Sequence, residues 1–231
     1  MQLTNAKTAT PAATTTAATT TATTTKAETQ SSFFFNEPPD ADTLIVSFAG
    51  HDVRYGGTGT FEFFNFLNQF FKGVHRHFYI DRACRCYHTG IEGVSEDVDG
   101  TVAFLREKIA RYRRVFFIGA SSGGYAALLF GSLLRVHKVV AFFPPTILMR
   151  IGVYDERYMD LKPWINDATQ YCLYGDENVT VADHPHHISH CENIATRPNV
   201  VLHRKKGVNM KEMRNNGELF RIMDEAIHSE V

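Results

Sequence analysis

The chain has 231 residues, of which 44% are hydrophobic and 12% aromatic, enough to bury the core of a single domain. Its 24 Lys and Arg residues nearly balance 25 Asp and Glu residues, giving a formal net charge of -1. This balance provides no basic surface for nucleic acid or for an anionic membrane, and no apolar run reaches the ~20 residues that span a bilayer. We therefore expect neither a nucleic acid nor a membrane as a partner.

Two further features of composition bear on location. The four cysteines, in a chain too long to need disulfides, favour a reducing compartment and hence the cytoplasm. Residues 1–30 contain thirteen Thr and eight Ala, with no Leu, Ile or Val after Leu3. We predict that this segment is disordered and that residues 31–231 form the domain. The segment lacks the apolar stretch of a secretory signal, but its hydroxyl-rich composition leaves an organelle transit peptide open.

From residue 31 onward, short β-rich apolar runs alternate with amphipathic stretches. The predicted strands are 43–48, 74–80, 114–118, 138–143, 170–174 and 199–203. The predicted helices are 61–71, 96–113, 123–134, 186–194 and 210–227. This alternation is typical of an α/β fold, and it predicts a doubly wound, mostly parallel six-stranded sheet with helices on both faces.

One motif gives this sheet a candidate nucleophile. Gly119-Ala120-Ser121-Ser122-Gly123 is a G-x-S-x-G that directly follows a predicted strand and directly precedes a predicted helix. A nucleophile elbow requires that context, because the serine occupies a sharp turn in which side chains at Gly119 and Gly123 would collide with the neighbouring helix and strand. A phosphate-binding loop is excluded, because no Lys-Ser/Thr follows and the spacing is not G-x-G-x-x-G.

Four stretches, "TLIVSFAGHD", "VFFIGASSGGYAALLFG", "VVAFFPP" and "YCLYGDENVTVADHPHH", resemble the α/β-hydrolase superfamily, in a compact serine esterase-like branch. The resemblance covers roughly residues 40–227 and implies the strand order 4-3-5-6-7-8, with the first two strands of the family missing. It also implies Ser121 as the nucleophile. The implied oxyanion hole consists of the backbone N–H groups of Ser122 and His51.

The resemblance places the catalytic acid after the strand 170–174, where two aspartates qualify. We favour Asp183, because its Asp-x-x-His spacing resembles the family pattern, and we keep Asp176 as the alternative acid. The structural alternatives are a helix N-cap for Asp183 and a turn residue for Asp176.

At the catalytic base the chain departs from the family, whose members carry a G-x-H loop after the last strand. The matching residues here are Gly207-Val208-Asn209. Asparagine cannot accept a proton near neutral pH, so Asn209 cannot be the general base. Three interpretations follow: His203 has taken over, a histidine of the neighbouring loop reaches in, or the protein has weak or no hydrolase activity. The loop histidines are His184, His186, His187 and His190.

The histidine-rich segment 183–191 also suggests a metal site. His186 and His190, or His187 and Cys191, would share one face of the predicted helix at i,i+4, a spacing that is common in zinc half-sites. A third ligand is not evident, so metal binding is a minor alternative.

The sequence thus predicts a serine hydrolase, of esterase, thioesterase or acyl-transfer type, with Ser121, Asp183 and His203 as the catalytic residues. The expected substrate is a small ester or acyl compound, and the loops near 51–60 and 146–168 are expected to form the walls of its pocket. No cofactor is expected. The alternative is a hydrolase-fold protein that binds a ligand without catalysis. No pattern in the sequence indicates an oligomeric state.

Overall fold

The computed structural model describes residues 31–51, 61–149 and 154–229. The segment 1–30, predicted to be disordered, lies outside the described residues. So do most of the loop 51–60 and part of the loop 146–168.

The described residues form seven strands and six helices. The strands are β1 Phe33–Asn36, β2 Thr43–Phe48, β3 His75–Tyr79, β4 Arg114–Ala120, β5 Lys138–Phe142, β6 Gln170–Asp176 and β7 Val200–Lys205. The helices are α1 Phe64–Phe70, α2 Val98–Ile109, α3 Ser122–Leu134, α4 Ser189–Ile194, α5 Met210–Asn215 and α6 Glu218–His228. Two short 3₁₀ turns, Glu156–Tyr158 and Lys162–Trp164, lie between β5 and β6.

The strands form one sheet in the order β1-β3-β2-β4-β5-β6-β7, parallel except where β1 pairs with β3. The predicted α/β fold is confirmed, and the six predicted strands follow the order that the resemblance implies. The count of six is wrong, because β1 adds an antiparallel edge strand. Its sequence, Phe-Phe-Phe-Asn, does not alternate apolar and polar residues, so it carried no strand signal of its own.

Both faces of the sheet are covered by helices, as a mostly parallel sheet requires. Successive residues of β4 point to opposite sides: Val115 and Phe117 enter a cluster with α2 and α3, whereas Phe116 and Ile118 enter a cluster with α1, α5 and α6. Within the described ranges, no helix is long and apolar enough to cross a membrane.

The predicted helix 210–227 is two helices, α5 and α6. Gly217 separates them with a φ of 78°, a left-handed conformation that ends α5 and that glycine adopts without strain. The amphipathic pattern continues across this break, so periodicity alone predicted one helix.

Candidate active site

Ser121 occupies a sharp turn at the C-terminal end of β4, directly before α3. Its backbone has φ 53° and ψ -127°, and its N–H donates to the carbonyl oxygen of Phe142 at 3.0 Å. A Cβ at Gly119 would lie 2.1 Å from the carbonyl oxygen of Gly123, and a Cβ at Gly123 would lie 2.1 Å from that of Phe48. Both glycines are therefore required for the close contact between strand and helix, and the turn has the geometry that the motif predicts.

The Ser121 hydroxyl is hydrogen-bonded to a histidine of the β6–α4 loop. Ser121 Oγ lies 2.7 Å from His186 Nε2, and the His186 ring packs against Phe143 with the ring centroids 4.7 Å apart. The backbone N–H of His186 donates to His184 Nδ1 at 3.0 Å, and the two rings meet edge to face. His184 thus helps to hold the loop that presents His186.

The start of the histidine-rich segment is not helical, contrary to the prediction of a helix over 186–194. His187 instead forms an isolated parallel bridge with Asp176, the last residue of β6. Helix α4 begins only at Ser189. This bridge directs the preceding residue, His186, toward the neighbouring strand ends, where Ser121 lies.

The predicted metal half-sites lose their basis, since His186 and His187 precede α4 and do not share a helical face with His190 and Cys191. His190 Nδ1 accepts the backbone N–H of Thr146 at 3.2 Å, and burial lowers the pKa of His190. In the described part of the chain, no group of three His, Cys, Asp or Glu residues is arranged to hold a metal ion.

His203, the predicted base, lies on β7 and is three strands away from the elbow. The pairing runs from Ala120 to Phe142, then to Tyr174, and then to His203. At about 4.8 Å per strand this separates His203 from the end of β4 by about 14 Å. Its ring stacks on Tyr174, with the centroids 4.6 Å apart and the planes at 9°. The structure therefore does not bring His203 to Ser121, because both residues are fixed by the sheet.

Asn209, which the sequence matched to the histidine of a G-x-H loop, caps a helix. Its Oδ1 accepts the backbone N–H groups of Lys211 and Glu212 at 3.1 and 3.2 Å, at the first turn of α5. The role observed for this side chain is structural.

The two candidate acids have different surroundings. Asp176, at the end of β6, accepts the backbone N–H groups of Gly207 and Val208 at 3.0 and 2.9 Å, and so holds the loop after β7. Asp183 is exposed, and its carboxylate makes no hydrogen bond or ion pair to any described residue. It does not cap α4, whose N-cap residue is Ile188.

The predicted oxyanion-hole residues lie beside the elbow. The backbone N–H of Ser122, in the first turn of α3, has no acceptor among residues 31–51, 61–149 and 154–229. The backbone N–H of His51 donates to Ser122 Oγ at 2.7 Å. The preceding N–H, that of Gly50, donates to Glu62 Oε2 at 2.8 Å. His51 is thus bound to the elbow through a serine hydroxyl.

No protein-family model and no curated protein matches the chain. Solved structures do resemble it. A capsule O-acetyltransferase of Neisseria meningitidis serogroup A has a TM-score of 0.56 at 12% identity, covering 83% of this chain and 89% of that one. A lipase-esterase related protein from Clostridium acetobutylicum has 0.55 at 12%, covering 84% and 98%. A Pyrococcus furiosus esterase has 0.52 at 14%, covering 80% of each. The chain has the α/β-hydrolase fold.

Proposed function

We propose that the protein is a serine hydrolase or acyltransferase that acts on a small carboxylic ester or thioester, with Ser121 as the nucleophile and His186 as the general base. The observation that carries this proposal is the 2.7 Å contact between Ser121 Oγ and His186 Nε2. A serine hydroxyl is a weak nucleophile by itself, and a histidine within hydrogen-bond reach is the usual means of activating it.

The reaction follows from this pair. With the proton of the neutral imidazole on Nδ1, Nε2 accepts the proton of Ser121 as Oγ attacks the carbonyl carbon. The carbonyl oxygen then becomes an oxyanion beside the backbone N–H of Ser122, which has no acceptor among the described residues. Collapse of the intermediate breaks the bond to the alkoxide or thiolate, which takes the proton from Nε2. Water, or another hydroxyl compound, then attacks the acyl-serine by the same proton transfers in reverse.

Hydrolysis and acyl transfer differ only in the acceptor of the acyl group. The solved structures that share the fold are described as an esterase, a lipase-esterase related protein and an O-acetyltransferase. These descriptions support the reaction class for this chain.

Neither aspartate expected from the sequence is the acid beside His186. Asp183, favoured from the sequence, is exposed and makes no hydrogen bond or ion pair to the residues that are described. Asp176 accepts backbone N–H groups of the loop after β7. We propose that His184, whose Nδ1 accepts the backbone N–H of His186, is a positioning residue for the base.

A second candidate function is ligand binding without catalysis. The observation that favours it is Asn209, which caps α5 at the position where the family carries its catalytic histidine. In this alternative the hydrogen bond between Ser121 and His186 is only structural, and no substrate is turned over.

The test compares single variants with a fluorophosphonate probe and with p-nitrophenyl acetate. We expect Ser121→Ala to abolish labelling and His186→Ala to lower kcat by about 10²–10⁴-fold, the usual contribution of a general base. Free imidazole should restore part of the activity of His186→Ala, because it supplies the missing base. His203→Ala is the matched control, since it removes a histidine that lies on β7 and does not contact Ser121. We expect it to change kcat less than about twofold.

Two results would contradict the proposal. Equal labelling of the unmodified protein and of His186→Ala would remove His186 as the base. A folded, unmodified protein without Ser121-dependent labelling or turnover would favour the binding function.

A further inference from the structure

We propose that the side-chain hydroxyl of Ser122, in addition to its backbone N–H, donates a hydrogen bond to the oxyanion, and that the N–H of His51 acts through this hydroxyl instead of directly. The inference rests on the proposed function of Ser121. It assigns a catalytic role to a second serine of the G-x-S-x-G motif and changes the role expected for His51.

The donors and acceptors around Ser122 lead to this assignment. Ser122 is only 9% exposed, and its Oγ accepts the His51 N–H at 2.7 Å. A hydroxyl that accepts one hydrogen bond still has a proton to donate. Among the hydrogen bonds of the described residues, Ser122 Oγ occurs only as an acceptor. A buried hydroxyl normally donates its proton to a partner, so the Ser122 proton is available for an acceptor that arrives with the substrate.

The position of Ser122 makes that acceptor the oxyanion. Ser122 directly follows the nucleophile, and its own N–H, at the start of α3, has no described acceptor. An N–H and an Oγ of one serine lie close enough to donate to the same oxygen atom. The N-terminal end of α3, a helix of thirteen residues, adds a partial positive charge at this point.

The surroundings keep the hydroxyl in place before any substrate binds. Gly123 lies so close to β2 that a Cβ there would be 2.1 Å from the Phe48 carbonyl oxygen. On the other side of this contact, Gly50 lies two residues after Phe48, and its N–H donates to the Glu62 carboxylate. Gly50 and His51 are therefore held against the elbow. Donors that are fixed in advance stabilise a developing charge without reorganising during the reaction.

The chemical step involves no additional proton transfer. When Ser121 Oγ bonds to the carbonyl carbon, the π electron pair of the carbonyl moves to its oxygen. The Ser122 proton stays on Oγ and forms a stronger hydrogen bond to that oxygen. The His51 N–H, which donates to the same Oγ, polarises the hydroxyl and makes it a better donor, as in other chains of hydrogen bonds.

The test uses Ser122→Ala, which removes the hydroxyl, and Ser122→Thr, which keeps it, with Ser121→Ala as the blank. Loss of one oxyanion donor lowers kcat by about 10²–10³-fold in known enzymes. We expect Ser122→Ala to lower kcat for p-nitrophenyl acetate by about that factor with KM changed less than about threefold, and Ser122→Thr to retain most of the activity.

A comparison of an ester with its thionoester separates a donor from a structural role. Sulfur is a weak hydrogen-bond acceptor, so a thionoester gains less from an oxyanion donor than the oxygen ester does. The ratio of the kcat for the ester to the kcat for the thionoester should therefore fall in Ser122→Ala. This ratio does not depend on the fraction of protein that is folded.

Three results would overturn the inference. An unchanged or raised kcat in Ser122→Ala would mean that the hydroxyl only occupies the His51 N–H. An equal loss for ester and thionoester would mean that Ser122 is structural. If the unmodified protein shows no turnover above Ser121→Ala, the proposed function fails together with this inference, whereas the first two results leave the Ser121–His186 pair intact.

Discussion

The Oδ1 atom of Asn209 accepts the backbone N–H of Glu212 at 3.2 Å, so this side chain, which the sequence matched to a catalytic histidine, is directed at the first turn of α5. Helix N-termini leave their first N–H groups without partners, and asparagine is among the residues that satisfy them best. The histidine that contacts Ser121 comes from a different loop, the one that carries His186. A structural residue at 209 is therefore compatible with the base that we propose at 186.

Asn209→His tests this arrangement. If the base belonged at position 209, introducing histidine there should raise the activity. Because His186 already contacts Ser121, we expect no increase in labelling or in ester hydrolysis. We expect a loss of stability of about 1 kcal/mol from the missing N-cap, measured by urea unfolding. A tenfold or greater gain in kcat would instead show that the loop after β7 is the natural site of the base.

The parallel sheet could be predicted because its strands are apolar runs with clear ends. Strand β2 has the predicted bounds, 43–48, and all six residues are buried. The elbow could be predicted because G-x-S-x-G requires a particular strand and helix on either side. The edge strand β1 and the break at Gly217 were missed, since both depend on contacts or backbone angles that periodicity does not report.

The histidine that contacts Ser121 was harder to predict, because the contact spans 65 residues of sequence. His186 was one of four histidines in the segment after β6, and nothing in its local sequence separates it from His184 or His187. The feature that distinguishes His186 is the backbone bridge between His187 and Asp176, which fixes the position of the residues next to it. The choice of His203 failed for a related reason: its distance from Ser121 depends on strand order.

Gly123→Ala should damage the elbow. The added Cβ would lie 2.1 Å from the backbone oxygen of Phe48, and neither backbone can move without disturbing the sheet. We expect a loss of about 3 kcal/mol or more in the free energy of unfolding, and little Ser121 labelling. Gly73→Ala is the control, since a Cβ there meets no atom within 4 Å and should change stability by less than about 0.5 kcal/mol. Similar unfolding curves for the two variants would contradict the packing argument.

Asp176→Asn should loosen the loop after β7. The carboxylate accepts two N–H groups of that loop, from Gly207 and Val208, and one from Asn178. An amide has one oxygen in place of two, so at least one of these N–H groups loses its acceptor. We expect a loss of about 1–3 kcal/mol in urea unfolding.

Asp183→Asn is the matched control for Asp176→Asn. The Asp183 carboxylate is exposed, so its replacement should leave both stability and turnover unchanged. If turnover instead fell by about 10²-fold or more in this variant, the scale of a lost catalytic group, Asp183 would be restored as the catalytic acid.

Two buried histidines should make the protein less stable in mild acid. Burial lowers the pKa of His77 and of His88 from about 6.5 to about 4, in spite of a hydrogen bond from His77 Nε2 to Glu37. His88 is held neutral between two partners, since its Nε2 is 2.7 Å from the Tyr125 hydroxyl and its Nδ1 accepts the Asp155 N–H. Protonation of Nδ1 would break the second of these bonds.

The sign of the pH effect follows from the protons bound in each state. Between pH 6.5 and pH 4 the unfolded chain binds protons at these histidines and the folded protein does not, so acid favours unfolding throughout this window. Each histidine should lower the free energy of unfolding by about 1 kcal/mol per pH unit as the pH falls from 6 to 5. Urea unfolding at pH 7, 6 and 5 measures this slope. His88→Phe, which cannot be protonated, should reduce the slope by about 1 kcal/mol per pH unit. A slope that is the same in His88→Phe as in the unmodified protein would show that His88 is not held neutral by the fold.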